Sequence, residues 1–185
     1  LSLCNKNMVK MDTNNDSKAK HDLLLDVCMA AKFEAESLKA YRGQYQLTNP
    51  GSQICTVLAR SFADIGDIVR GRDLYLGGNN KRRQQLENNL KTIFAKIHED
   101  LTEPGVKNYY KNDDKDPDKN YYKLREDWWT ANRETVWKAI TCGHPGGTYF
   151  RKTCGKSDNW TEEDCRCAAN IDPPTYFDYV PQYLR

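Results

Sequence analysis

The sequence predicts an all-α, disulfide-linked helical bundle, and three observations carry that reading. Four segments repeat apolar residues at the three- and four-residue steps of a helix, and no segment alternates as a strand would. Seven cysteines lie in one short chain without a CxxC pair. With 185 residues, 38% hydrophobic and 11% aromatic, the chain has room for a sizeable core in one domain or two small ones. Charged residues reach 29% and mean hydropathy is -0.86, at the polar end of foldable proteins.

Residues 1–16 are polar and Asn-rich, which suits an irregular entry segment. A first helix starts at Ser17, with Asp16 or Ser17 as N-cap, and Leu24, Val27, Cys28, Ala31, Ala35, Leu38 and Tyr45 form its core stripe. Thr48-Asn49-Pro50-Gly51 breaks it. A second helix runs from about Gln53 to Leu74, with Ile54, Leu58, Phe62, Ile65 and Val69 on one face, and Gly77-Gly78-Asn79-Asn80 ends it. The third has the cleanest period, through Leu86, Leu90, Ile93, Phe94, Ile97 and Leu101, and Pro104-Gly105 stops it. Residues 103–120 are aperiodic and rich in both charges, so a solvated, mobile loop is expected there. A fourth helix from about Tyr121 to Thr141 is apolar on two faces: Leu124, Trp128, Ala131 and Thr135 on one, Trp129, Val136 and Ile140 on the other. Two apolar faces place a helix in the middle of a bundle. Beyond Cys142 come Gly-, Pro- and Cys-rich turns, then an aromatic end, Thr175 to Pro181.

Composition excludes several function classes. Lys plus Arg (28) against Asp plus Glu (26) leaves a net charge of +2, so neither a polybasic nucleic-acid arm nor an acidic tail is present. No run of 18 apolar residues exists. A start at Leu1 without Met reads as an excised piece of something longer. Gly77-Gly78 lacks the following Lys-Ser/Thr of a phosphate loop, and GxSxG, HExxH and paired-carboxylate motifs are missing, so no enzyme activity and no cofactor are expected. Cys142 and His144 are too close in sequence to face each other as a nucleophile and base. Glu162-Glu163-Asp164 reads as the first turn of a short helix, and His21 and His98 as solvent-facing.

The cysteines admit two readings. Cys142, His144, Cys154, Cys165 and Cys167 could hold zinc in an intracellular zinc-stabilised helical interaction module, but Cys165-Arg166-Cys167 would strain a tetrahedral chelate. A disulfide framework from an oxidising compartment is preferred, with no metal. Because the count is odd, one thiol is free or has its partner beyond Arg185. Asn15-Asp16-Ser17 and Asn159-Trp160-Thr161 are N-glycosylation sequons, consistent with secretion. Two cation groups could meet a sulfated glycan: Lys81, Arg82 and Arg83 with Lys91 one to two turns on and close to the same face, and Arg151, Lys152 and Lys156 on a Cys-anchored turn. The plain alternative is that both only solubilise the surface.

Longer motifs go further. The block Ala59 to Gly77 (ARSFADIGDIVRGRDLYLG) closely resembles the signature of the alpha-class Duffy-binding-like domain of the malaria parasite's erythrocyte membrane protein one family. Tyr176 to Arg185 (YFDYVPQYLR) is similar to the other end of that signature, Trp128 to Arg133 and Trp137 to Cys142 to its central helix, and Cys4 to Asn7 and Cys28 to Ala31 to its upstream part. The resemblance implies a helical fold of three subdomains, here represented in part: 1–16 as the end of the first, 17–142 as the second, 143–185 as the start of the third. It also implies a host-cell adhesion module of a variant surface antigen, on the surface of the infected red cell and joined to its membrane only through the rest of the parent protein. The implied partners are a host cell-surface receptor protein or sulfated glycan such as heparan sulfate, in cytoadherence or rosetting, and host antibodies that drive antigenic variation. Nucleic acid is not among them.

Cys55 and Cys142 stand at the start of the second helix and the finish of the fourth. Antiparallel-type packing would join them, in line with the covalent link between these helices that the resemblance implies. Cys154 is expected to pair with Cys165 or Cys167, whichever is left reaching beyond Arg185. Cys4 and Cys28 bond to each other or reach upstream.

Overall fold

The computed structural model describes residues 3–13, 19–45, 54–73, 81–143, 147–155, 159–162, 164–168 and 173–185, with the side chains of 41–45 and of residue 114 left aside. The described residues are helical and contain no strand: α1 (Lys6–Val9), α2 (Ala19–Tyr45), α3 (Ile54–Arg70), α4 (Lys81–Glu99), α5 (Pro104–Tyr109), α6 (Lys111–Lys115) and α7 (Tyr122–Thr141), then two 3-10 turns at Phe177–Tyr179 and Gln182–Leu184. The expected helix breaks at Thr48–Gly51 and Gly77–Asn80, and the Asn15 sequon, lie outside these residues.

Helix α3 forms the centre. Its predicted stripe of Ile54, Leu58, Phe62, Ile65 and Val69 is buried, and so is most of its remaining surface. Helices α2 and α7 pack on it and on each other, and α4 lies against α1, α2 and α7. The core stripe of α2 is turned slightly from the expected one. Leu23, Val27, Ala30, Ala31 and Ala35 are buried, while Leu24, Cys28 and Leu38 are only half-buried. Its alanines leave no long side chain between the axes and bring α3 close. The charged Glu34 is buried among them because it accepts from Ser61 Oγ at 3.0 Å and from the Cys4 amide at 2.9 Å.

The two apolar faces of α7 meet different helices. Trp129 and Trp137 pack on Phe62 of α3, with ring centroids 5.1 and 5.2 Å apart, while Trp128 meets Phe94 of α4 edge-on at 6.2 Å. Ala131 and Thr135, expected on the first face, are exposed, and Arg125 and Arg133 are buried instead. Arg125 donates to the carbonyls of Val69 (2.6 Å) and Ile68 (3.0 Å), which closes the open end of α3, and its two Nη atoms hold Glu87 of α4 at 2.6 and 3.0 Å. One guanidinium thus joins three helices.

Three expectations change. The entry segment contains α1, because Met8 and Met11 enter the core and Asn89 donates to the Val9 carbonyl at 2.9 Å. The segment 103–120, read as a loop without regular structure, carries α5 and α6; it is exposed except mainly for Asp113, which accepts from the Lys123 and Leu124 amides at 3.2 and 2.8 Å at the start of α7. His98 is buried on the inner side of α4 beside the Tyr121 ring, 5.6 Å between centroids, and not in solvent; His21 is exposed as expected.

Helices α3 and α7 approach closely at Gly66, where a Cβ would lie 2.7 and 2.8 Å from ring atoms of Trp129. Gly66→Ala is expected to cost about 1–3 kcal/mol by overpacking. Gly105→Ala, where a Cβ would meet nothing within 4 Å, is expected to be neutral or slightly stabilising. Urea unfolding of both variants checks this contrast, and equal midpoints would contradict it.

Candidate binding surface

The part of the chain after α7 has few helical residues and is fixed by covalent and ionic ties. Cys55, fully buried at the start of α3, is bonded to Cys165, and Cys154 to Cys167. The expected Cys55–Cys142 bond is therefore wrong. Cys165 and Arg166 dock on α7 next to α3: Trp137 Nε1 donates to the Cys165 carbonyl at 3.2 Å, and Arg166 donates to Thr141 Oγ1 and to the Lys138 carbonyl, both at 2.7 Å. Cys142 is exposed at the end of α7 and belongs to neither bond. The expected Cys154–Cys167 alternative is the one observed, and Cys165 pairs inside the chain rather than beyond Arg185. Three of the four thiols proposed as zinc ligands are thus consumed, which removes the zinc-module alternative.

Cys4 and Cys28 are not bonded to each other. The Cys4 thiol sits at Glu34 and Ser37, six and nine residues beyond Cys28 on α2, or about 9 and 13 Å along a helix axis, too far for a disulfide. Burial pushes the Cys28 thiol up, and burial together with the Glu34 charge does the same for Cys4, which favours the protonated thiol at both.

The aromatic end is locked by charge. Asp178, 1% exposed, accepts from Arg133 Nε (2.8 Å), Arg133 Nη2 (2.9 Å) and Trp129 Nε1 (2.9 Å), and its backbone carbonyl accepts from Arg70. Arg70 also holds Asp67 and Glu126, at 3.1 and 3.2 Å. Arg185 pairs with Asp64 at 3.1 Å and with Asp67. Burial raises both Asp64 and Asp67 above the usual carboxylate range, against the pull of Arg185. The guanidinium of Arg133 faces the rings of Tyr176 and Tyr179 at 5.5 and 5.3 Å.

The two cation groups fare differently. Lys81 and Arg82 are exposed at the start of α4, and Arg83 is half-buried. Arg82 donates to Asn5 Oδ1 at 3.1 Å, whereas Lys91 Nζ donates to the Asp118 carbonyl at 3.3 Å. These contacts point to opposite neighbours, so the fold does not gather Arg82 and Lys91 into one site. In the second group, Arg151 and Lys152 are both exposed, and Lys156 lies outside the described residues. The described residues around them are tied at several points. Cys154 and Asn159 exchange backbone hydrogen bonds of 3.0 and 3.1 Å, Gly155 takes φ +71°, and the Tyr149 amide donates to the buried Thr161 hydroxyl at 2.7 Å. Glu162 and Asp164 are not in a helix: residue 164 forms an isolated bridge with Gly147.

Sequence reasoning treated Trp160 only as the middle of a sequon. It is half exposed, and Lys152 Nζ lies 5.7 Å from its ring centroid. The available signal is its position five residues before Cys165, away from any helical stripe. Among the described residues no cluster of His, Cys, Asp and Glu could hold a metal ion, and no helix is long and apolar enough to cross a membrane.

The described residues thus form a helical bundle to which two disulfides and a set of buried ion pairs staple a charged, aromatic end. The chain belongs to the Duffy binding domain family, whose model matches residues 1–185. It is similar to the crystal structure of the NTS-DBL1(alpha-1) domain of Plasmodium falciparum membrane protein 1 from the varO strain, with 41% identity and a TM-score of 0.75 over 98% of this chain and 39% of that one. It is also similar to the PfEMP1 IT4var13 DBLbeta domain bound to ICAM-1, with 36% identity and a TM-score of 0.71 over 98% of this chain and 40% of that one. The chain thus spans about two fifths of these relatives. No curated protein matches it.

Non-reducing peptide mapping is expected to find Cys55 linked to Cys165 and Cys154 linked to Cys167. A Cys55–Cys142 peptide would contradict this fold of residues 143–167.

Proposed function

We propose that the chain is part of a host-cell adhesion module of a variant parasite surface antigen, displayed on the infected red cell, with binding and not catalysis as its role. The observation that supports this most directly is membership of the Duffy binding domain family together with likeness to a relative bound to ICAM-1. Residues 1–16, 17–142 and 143–185 are assigned to successive subdomains. A disulfide-stapled core that carries exposed charged turns suits an adhesin whose surface varies under antibody pressure.

A sulfated glycan is the ligand we assign to the cations, either heparan sulfate or a relative of it, with rosetting of uninfected red cells as the setting. Of the two cation groups, Arg151 and Lys152 fit this better than Lys81, Arg82, Arg83 and Lys91. They stand exposed beside the Cys154–Asn159 bridge and the Cys154–Cys167 disulfide, so little backbone order remains to be gained on binding.

The test is retention of the domain on red cells and on heparin at rising salt. Binding is expected to fall after heparinase treatment, and each cation lost from Arg151 or Lys152 is expected to weaken it by up to about 1 kcal/mol, more at low salt. Lys81→Ala, Arg82→Ala and Arg83→Ala together are expected to change it less. Binding that survives heparinase and vanishes with protease would replace the glycan with a protein receptor. No binding to any host surface would contradict the adhesion reading.

A further inference from the structure

We infer that Trp160 and Lys152 together form a stacking subsite for one sugar unit of a sulfated saccharide. This rests on the glycan reading above and gives it a specific location. Three of the four tryptophans, Trp128, Trp129 and Trp137, are at most 5% exposed and belong to the core, whereas Trp160 is 52% exposed. An indole this accessible contributes little to packing, and its flat apolar face matches the C–H face of a pyranose ring.

The neighbourhood explains why the ring can act as a platform. On one side of it, Asn159 is bridged to Cys154, which is bonded to Cys167. On the other, the Thr161 hydroxyl is buried and takes the Tyr149 amide, while Tyr149 OH lies 3.0 Å from Thr175 Oγ1. The backbone on both sides of the indole is thus fixed before any ligand arrives, which lowers the ordering cost of binding. Lys152 supplies the charge: its ammonium lies 5.7 Å from the ring centroid, so one sugar unit can touch the ring while its sulfate meets the cation. Arg151, whose guanidinium lies 5.1 Å from the Phe150 ring centroid, is the next cation along the chain. Of the described acids nearby, Asp164 faces Arg166 at 3.8 Å, and Glu162 is exposed two residues after Trp160, while Asp158 and Glu163 lie outside the described residues. Glu162 opposes a densely charged ligand here, so the subsite favours a unit with its sulfate on the Lys152 side.

The test uses the whole domain that carries this chain, made without N-glycan at Asn159, and a heparin dodecasaccharide as probe. The probe is expected to protect Trp160 from N-bromosuccinimide oxidation, read by peptide mapping. Trp160→Ala is expected to weaken binding about tenfold, in the range of aromatic stacking losses, and Trp160→Tyr much less. Lys152→Ala is expected to raise the oxidation of Trp160 in the presence of probe. Circular dichroism and an intact Cys154–Cys167 peptide confirm that each variant is folded. If heparin binds but Trp160 is oxidised at the same rate with and without it, the subsite is overturned and the glycan reading stands. If heparin does not bind at all, both fall.

Discussion

The fold depends on placing one carboxylate, that of Asp178, inside the bundle and satisfying it there. A bare carboxylate at 1% exposure would cost several kcal/mol of lost hydration. Two donors from Arg133 and one from Trp129 remove that cost, and the aromatic end of the chain is thereby drawn onto α7. Arg70 does the same from α3 through the Asp178 carbonyl. The tyrosines around it, Tyr176 and Tyr179, cover the guanidinium of Arg133 and are themselves 61% and 43% exposed. Trp129 is the hinge of the arrangement: its ring fills the space that Gly66 leaves on α3, and its N–H fixes Asp178. Packing and charge satisfaction therefore share one side chain.

The disulfides act at a different level. Cys55–Cys165 closes 110 residues and Cys154–Cys167 closes 13, worth about 5 and 3 kcal/mol respectively in the chain-entropy picture. They restrict the unfolded chain and hold the described residues of 147–167, among which there are two isolated bridges and no helix, against a helical core. That is the reason a short turn can present Arg151, Lys152 and Trp160 in a fixed arrangement.

The helices were legible in the sequence because their apolar stripes are long and periodic: Ile54 to Val69 and Leu86 to Ile97 were read residue by residue. The buried ions were not legible. Arg125 and Arg133 look like solubilising residues, although one follows Leu124 and the other is four residues after Trp129, both positions that face inward once α7 is packed on two sides. Asp178 gives no local signal at all, since its donors lie 45 and 49 residues away. The cysteine pairing failed for a related reason. Helix ends bring cysteines into one neighbourhood without fixing which of them bond, and Cys165, docked beside Trp137, takes the Cys55 partner that was expected for Cys142. The subsite at Trp160 was half visible: its cations were named, but the aromatic partner was placed by a bridge that composition does not encode.

The dependence on Asp178 is most directly measured by urea unfolding of Asp178→Ala. Removal of the carboxylate leaves Arg133 buried without its partner, so a loss of about 3–5 kcal/mol is expected. The Arg133→Met, Asp178→Leu double variant, which removes both charges, should recover a large part of that loss. A loss below about 1 kcal/mol in the single variant, or no recovery in the double one, would contradict the account.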